Sequence, residues 1–156
     1  MSDPHDTNLR KAESEFVTFT AADQSFCLDI MQIREIRRWT PVTILPHAPV
    51  EVLGVMNLRG AVIPIFDLAA GFGLGRTEAD ERNVIIVAKV EHQTVGLLVQ
   101  SVSEILSVPS EKIQSTPDVK SDTTKQSIPE VISLDEGMTR VVDLQFVAKV
   151  VSKVAA

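Results

Sequence analysis

Three histidines, one cysteine and a glycine-rich stretch are the groups in this 156-residue chain best suited to chemistry. His5, His47 and His92 are far apart, with no i, i+4 pairing and no cysteine companion, so the usual spacing of a zinc site is missing. Cys27 lies in the apolar run FCLDI, where a lone cysteine is a small core side chain more often than a nucleophile. GFGLG, Gly71 to Gly75, is the nearest approach to a cofactor loop. A dinucleotide site needs G-x-G-x-x-G opening a helix, so that backbone amides can approach a pyrophosphate. Here Arg76 stands where the third glycine belongs, and a helical turn in DLAAG precedes the glycines. A helix stop is the simpler reading, with a nucleotide-binding enzyme built on residues 71–75 as the alternative. G-x-S-x-G, P-loop and H-E-x-x-H motifs are absent, and there is no tyrosine to serve as a general acid.

Charged residues inside apolar runs raise a different kind of question. CLDIMQI, IFDLAAG and VVDLQFV each place an aspartate at the end of an apolar run. Asp29, Asp67 and Asp143 are therefore expected to cap helical turns, each contributing about 1 kcal/mol, rather than to act in catalysis. IREIRRW interleaves Arg34, Glu35, Arg37 and Arg38 with Ile33, Ile36 and Trp39, a pattern of one buried and one solvated face and a possible contact surface. Trp39 fits either a core position or a binding anchor. In GVMNLRGAVIPIFDLAAGFG a permanent charge, Arg59, sits within an apolar run and needs an acceptor, since a buried unpaired charge costs several kcal/mol.

These residues must be positioned by a mainly β chain. EFVTFTAADQSFCLDI reads as a hairpin turning at AADQS, and NVIIVAKVEHQTVGLLVQ as a second one with Glu91, His92 and Gln93 at its tip. TPVTILPHAP, with Pro41, Pro46 and Pro49, is an extended loop. VLGVMNLRG and AVIPIFDL are strands, Pro64 demoting the second to an edge or a bulge. SVSEILSV fits strand and helix spacing alike and is read as strand. Gln114 to Ser127 has the composition of a mobile loop, and MTRVVDL and QFVAKVVSKV close the chain as a strand and a short helix. With 44% hydrophobic residues and a net charge of −6, a soluble globular protein is expected and a nucleic-acid binder is not. One cysteine, no signal-peptide pattern and no membrane-length apolar run point to the cytoplasm.

Taken together, MQIREIRRWTPVTILPHAP, then N-L-R-G followed by P-x-x-D-L in GVMNLRGAVIPIFDLAAGFG, then the V-G-x-x-V of NVIIVAKVEHQTVGLLVQSVSEIL, resemble the CheW family of chemotaxis adaptors. The resemblance covers Glu15 to Val151, leaving 1–14 as a flexible leader and 152–156 as a tail. It implies two small five-stranded SH3-like β-barrels sharing an apolar core, with no catalytic activity and no cofactor. The implied partners are the regulatory domain of a CheA-type histidine kinase and the helical hairpin tip of a chemoreceptor, which lies in a groove between the barrels. The implied state is a monomer when free, held in receptor arrays at the membrane through these partners.

Carried onto matching positions, the resemblance implies that Glu35 and Arg59 are functionally important, and they are expected to pair at the mouth of the receptor groove. Bracing of Arg59 against Asp67 or Glu51 is the structural alternative. Ile30, Ile33, Val84, Ile86, Gly96 and Val102 complete the expected receptor surface, although each also fits ordinary core. Thr43, Ile44, Gly54 and Val55 are the expected kinase contact, where a glycine would let two barrels approach closely. Near the end the chain departs from the family: Pro129 and Glu130 stand where many members carry glycine, and Arg140 lies in the last strand. An adaptor for a divergent pathway with an output other than motility is the alternative within the family.

Overall fold

The first hairpin forms as expected, from β1 (Glu13–Ala21) and β2 (Gln24–Asp29), in a computed structural model that describes residues 13–117, 128–135 and 137–153. Ala22 and Asp23 have φ of 49° and 61°, the backbone of a two-residue turn whose twist matches its strands. A single 3-10 turn, Ile30–Gln32, leads into β3 (Ile33–Arg38). β4 (Val52–Leu58), β5 (Ala61–Asp67), β6 (Val84–Val90) and β7 (Gln93–Val99) join β3 in a sheet of order β3-β6-β7-β5-β4. The chain then returns to the first hairpin. β8 (Ser101–Pro109), β9 (Ile113–Ser115), β10 (Glu130–Leu134) and β11 (Gly137–Val141) complete a sheet of order β8-β1-β2-β11-β10-β9.

Both sheets curl into small barrels of SH3-like type, one of five strands and one with a sixth, three-residue strand. β8 and β9 are opposite edges of the larger sheet, and one 3-10 turn, Ser110–Lys112, links the end of one to the start of the other, so the sheet must bend round on itself. In the smaller sheet the chain leaving β3 crosses to the far edge. There Thr43 and Val55 of β4 exchange backbone hydrogen bonds of 2.8 Å in each direction. Closure of this kind hides the edges that a strand would otherwise offer to another chain.

Two strand assignments need correction. β5 is an interior strand despite Pro64, because β7 begins to pair with it only at Ile65. Pro64 lies opposite Val55, whose own N–H and C=O point away to Thr43, so the missing donor faces no ladder. The polar stretch expected to be a loop from Gln114 starts inside β9, which is held by Val131 and Ile132 of β10; its residues 118–127 lie outside those described. The divergent segment builds an ordinary sheet. β10 starts at Glu130, and Arg140 donates to the Ser25 carbonyl at 3.2 Å with its guanidinium 5.5 Å from the Phe26 ring.

Three apolar clusters hold the layers together. Met56, Leu58, Ile63, Ile65, Ile85, Val87 and Leu98 fill the five-stranded unit. Phe16, Cys27, Val108, Ile132 and Val141 fill the other. A larger cluster joins the two, with Phe19, Phe26 and Leu28 from one sheet against Phe66, Ile86, Leu97 and Val99 from the other. The Phe26 ring stacks on Phe72 at 5.1 Å across the same boundary. β6 and β7 therefore have apolar partners on both faces, which is why VIIVAKV and VGLLV read as nearly continuous hydrophobic runs.

The three aspartates act as caps. Asp29 accepts from Met31 N at 2.9 Å, Asp67 from Ala70 N at 3.4 Å and Asp143 from Gln145 N at 2.9 Å. Asp67 is buried and also takes the Thr77 amide at 2.9 Å and hydroxyl at 2.6 Å, pinning the loop before β6. The helix that Asp143 starts, Leu144–Ser152, buries Leu144, Val147 and Val151 in the shared cluster. Asp143→Ala is expected to cost about 1 kcal/mol, seen as a lower urea midpoint with an unchanged slope.

Candidate partner-binding site

Arg59 is not buried in a strand, as its apolar context suggested. With Gly60 it forms the two-residue turn between β4 and β5, both at positive φ, 51° and 87°. Asn57 stabilises this turn by accepting from Gly60 N at 3.0 Å. The Arg59 side chain is 69% exposed, so no burial penalty forces it to pair. It nonetheless reaches across the barrel seam to Glu35 on β3, Nη1 to Oε2 at 2.8 Å. Arg37 donates to the other oxygen, Oε1, at 2.9 Å. The expected contact between Glu35 and Arg59 is present, and neither Asp67 nor Glu51 takes part.

Register explains why a carboxylate sits there. Glu35 lies opposite Val87 and Arg37 opposite Ile85, two side chains of the five-stranded unit's own core. Glu35 and Arg37 therefore occupy the inner face of an edge strand, where that core reaches the seam between β3 and β4. The hydrogen bonds from Arg59 and then Arg37 hold the Glu35 carboxyl below its ordinary pKa, and Glu35 in turn raises that of Arg59. A depressed carboxylate pKa means the clasp is complete above the normal glutamate range and is lost as pH falls through the lowered value.

The opposite face of β3 looks towards the shared core. Ile33 lies opposite Ala88 and Ile36 opposite Ile86, while Arg38 faces Val84. On the other unit, Val102 faces Phe19 and Ile105 faces Val17. The 3-10 turn carrying Ile30 touches both β1 and β6 and bridges the two. Ile33, Val84 and Val102 are half-buried against the margin of the shared cluster, and Ile36 and Ile105 are 46% and 58% exposed. An apolar strip thus runs along the boundary between the barrels, beside the Glu35 and Arg59 clasp.

Two of the residues expected on this surface are elsewhere. Ile86 is completely buried beneath it. Gly96 faces the inside of the five-stranded unit, where a Cβ would lie 2.5 Å from Ile65 Cδ1 and 3.1 Å from Ile85 Cγ2. Both support the strip without being exposed on it. Ile36 and Ile105 belong to the strip but are not among the expected receptor residues, because only strand register decides which face an isoleucine shares. Trp39 packs at the margin of the five-stranded unit's core, with Trp39 N bonded to the Asn83 carbonyl at 2.9 Å.

Thr43, Ile44, Gly54 and Val55 do come together, around the bridge that closes the smaller barrel. The close approach at Gly54 is internal, however. A Cβ there would meet the Thr43 carbonyl oxygen at 2.1 Å, so the glycine admits the chain's own loop rather than another barrel. Ile44, 74% exposed on that loop, is the large apolar group this corner presents.

Among the described residues the groups weighed for catalysis do not converge. Burial pushes the Cys27 thiol up to about 12, opposed by a hydrogen bond from Thr139 and reinforced by the Glu130 charge. A thiol reagent at pH 8 is accordingly expected to leave the folded protein unmodified and to label one site per chain in urea. The glycine stretch follows the short helix Leu68–Gly71, and Gly73, at φ 72°, donates to the Ala70 carbonyl at 3.1 Å. That is a helix stop. Among the described residues no cluster of three histidine, cysteine or carboxylate side chains could hold a metal ion, and no helix is long and apolar enough to cross a membrane.

Comparison with known proteins gives this surface a context. Residues 15–151 match the family model described as "CheW-like domain". Chemotaxis protein CheW of Rhizobium meliloti is 47% identical over 140 residues, covering 90% of each chain. A probable chemotaxis protein CheW of Rhizobium etli is 46% identical over 138 residues, 88% of this chain and 89% of that one. The crystal structure of the scaffolding protein TtCheW from Thermoanaerobacter tengcongensis superposes with a TM-score of 0.76 at 28% identity, over 83% of this chain and 88% of that one. With two SH3-like barrels on a shared core and the family model matched over residues 15–151, this chain belongs to the CheW-like family of non-enzymatic chemotaxis scaffolds.

Proposed function

We propose that the chain couples the cytoplasmic hairpin tips of chemoreceptors to the regulatory domain of a CheA-type histidine kinase. The apolar strip between the barrels, bordered by the Glu35 and Arg59 clasp, supports this reading most directly. A helical hairpin carries an apolar stripe that such a groove can read. Ile30, Ile33, Val84 and Val102, with Ile36 and Ile105, form its receptor-facing surface, and Ile86 and Gly96 sustain it from beneath. The kinase domain, itself a related β-barrel fold, meets the corner formed by Thr43, Ile44, Gly54 and Val55. The two partners thus occupy different parts of one domain spanning 15–151, and the protein works in the cytoplasm as part of a membrane-associated receptor array.

Reconstitution tests the proposal. Purified chain is mixed with its cognate kinase and a soluble receptor signalling fragment, and kinase autophosphorylation is followed. The chain should raise the rate only when the receptor fragment is present. No increase with both cognate partners at saturating concentration would leave the family fold without the coupling role.

A further inference from the structure

β3 carries more positive charge than the clasp uses. Glu35 spends both carboxylate oxygens on Arg37 and Arg59. Arg34 and Arg38 are exposed, and among the described residues neither has a carboxylate partner. β3 and the turn that reaches it thus bring together Arg34, Arg37, Arg38 and Arg59 with Glu35 as the one carboxylate of the strand, on a chain whose formal net charge is −6. A cationic row on an otherwise acidic protein is not a by-product of overall composition. Its position is informative too, since Arg38 shares the Val84 face of the apolar strip and Ile36 lies between the two arginines on exposed positions of the strand.

We propose that Arg34 and Arg38 form an electrostatic rim to the groove that selects a helix with carboxylates beside its apolar stripe. The inference rests on the coupling role given above and adds what distinguishes one helical partner from another. Arg34 is the extra residue at the register shift between Ile33 and Glu35, so the four steps to Arg38 span at most about 13 Å, which corresponds to about two turns of helix. A partner whose glutamates or aspartates recur at that interval along one edge matches both arginines while its apolar side covers Ile36. Arginine suits the task because its planar fork binds a carboxylate with two parallel hydrogen bonds. Rim charges act mainly on encounter and on discrimination against neutral or basic partners.

The test measures the dissociation constant of a soluble fragment of the cognate receptor hairpin, labelled for fluorescence anisotropy, between about 50 and 500 mM NaCl, a range over which the screening length changes roughly threefold. Arg34→Gln/Arg38→Gln is compared with wild type, and Arg59→Glu serves as the control for the coupling role itself. The double variant should bind about tenfold more weakly at low salt, converge on wild type at high salt, and keep its melting temperature. Arg34→Lys/Arg38→Lys should recover part of the loss. Equal affinity and equal salt dependence in wild type and double variant, with Arg59→Glu still defective, would remove the rim and leave the coupling role standing. No receptor binding by the wild type would overturn both. Salt-sensitive sedimentation with anionic vesicles that the double variant loses, with receptor affinity unchanged, would assign the row to a lipid surface instead.

Discussion

Arg59→Glu is expected to lose receptor-dependent kinase activation while melting at the temperature of the wild type. The side chain is mostly exposed and occupies a two-residue turn, so removing it opens no cavity and strands no buried group. Surface ion pairs of this kind add little to stability. The effect arises when a partner covers the seam. Charge reversal then sets a second carboxylate beside Glu35 in a region being desolvated, and receptor affinity should fall by about 100-fold. Glu35→Arg should do similar damage. The swapped pair Glu35→Arg/Arg59→Glu restores the attraction across the seam but sets a new arginine beside Arg37, so rescue should be partial. Losses that simply add in this double-mutant cycle would show that the two residues act independently.

Gly54→Ala is expected to be the most damaging small substitution outside the three cores. Its Cβ would sit 2.1 Å from the Thr43 carbonyl oxygen and 2.8 Å from Val42 Cγ1. Backbone cannot rotate away as a flexible side chain can, so the crossing loop must lift and the reciprocal Thr43 and Val55 hydrogen bonds must break. Overpacking of this severity costs about 3 kcal/mol, or a fall in melting temperature of about 10 °C for a domain of this size. Kinase binding should weaken as well, because Ile44 rides on the displaced loop. Ile44→Ala separates the two effects. With the side chain already exposed, it should leave stability unchanged and lower kinase affinity alone; a variant that binds the kinase domain normally would remove this corner from the interface.

What could be read from the chain alone was whatever depends on near neighbours in sequence. The hairpin at AADQS, the helix stop after DLAAG and the three aspartate caps are local hydrogen-bonding choices, and each formed as its residues demand. The mainly β class followed from short apolar runs separated by turn residues, and the family from motifs that recur at set distances. Arg59 shows where local reasoning fails. Its apolar neighbours suggested burial, whereas the turn it shares with Gly60 directs the side chain out to solvent.

Only the tertiary structure decided which apolar residues are available to a partner. Ile36 and Ile86 lie opposite each other on one sheet face, yet Ile86 is sealed beneath the shared core and Ile36, on the edge strand, remains open. Gly96 and Gly54 are both places of close approach, and both are filled by the protein itself. Burial is a property of how strands far apart in sequence are registered and which sheet covers them, and no window of neighbouring residues contains that information. The seam between β3 and β4 is the same kind of feature. Glu35 and Arg59 are 24 residues apart, and they meet because closing a five-stranded sheet brings its two edges together.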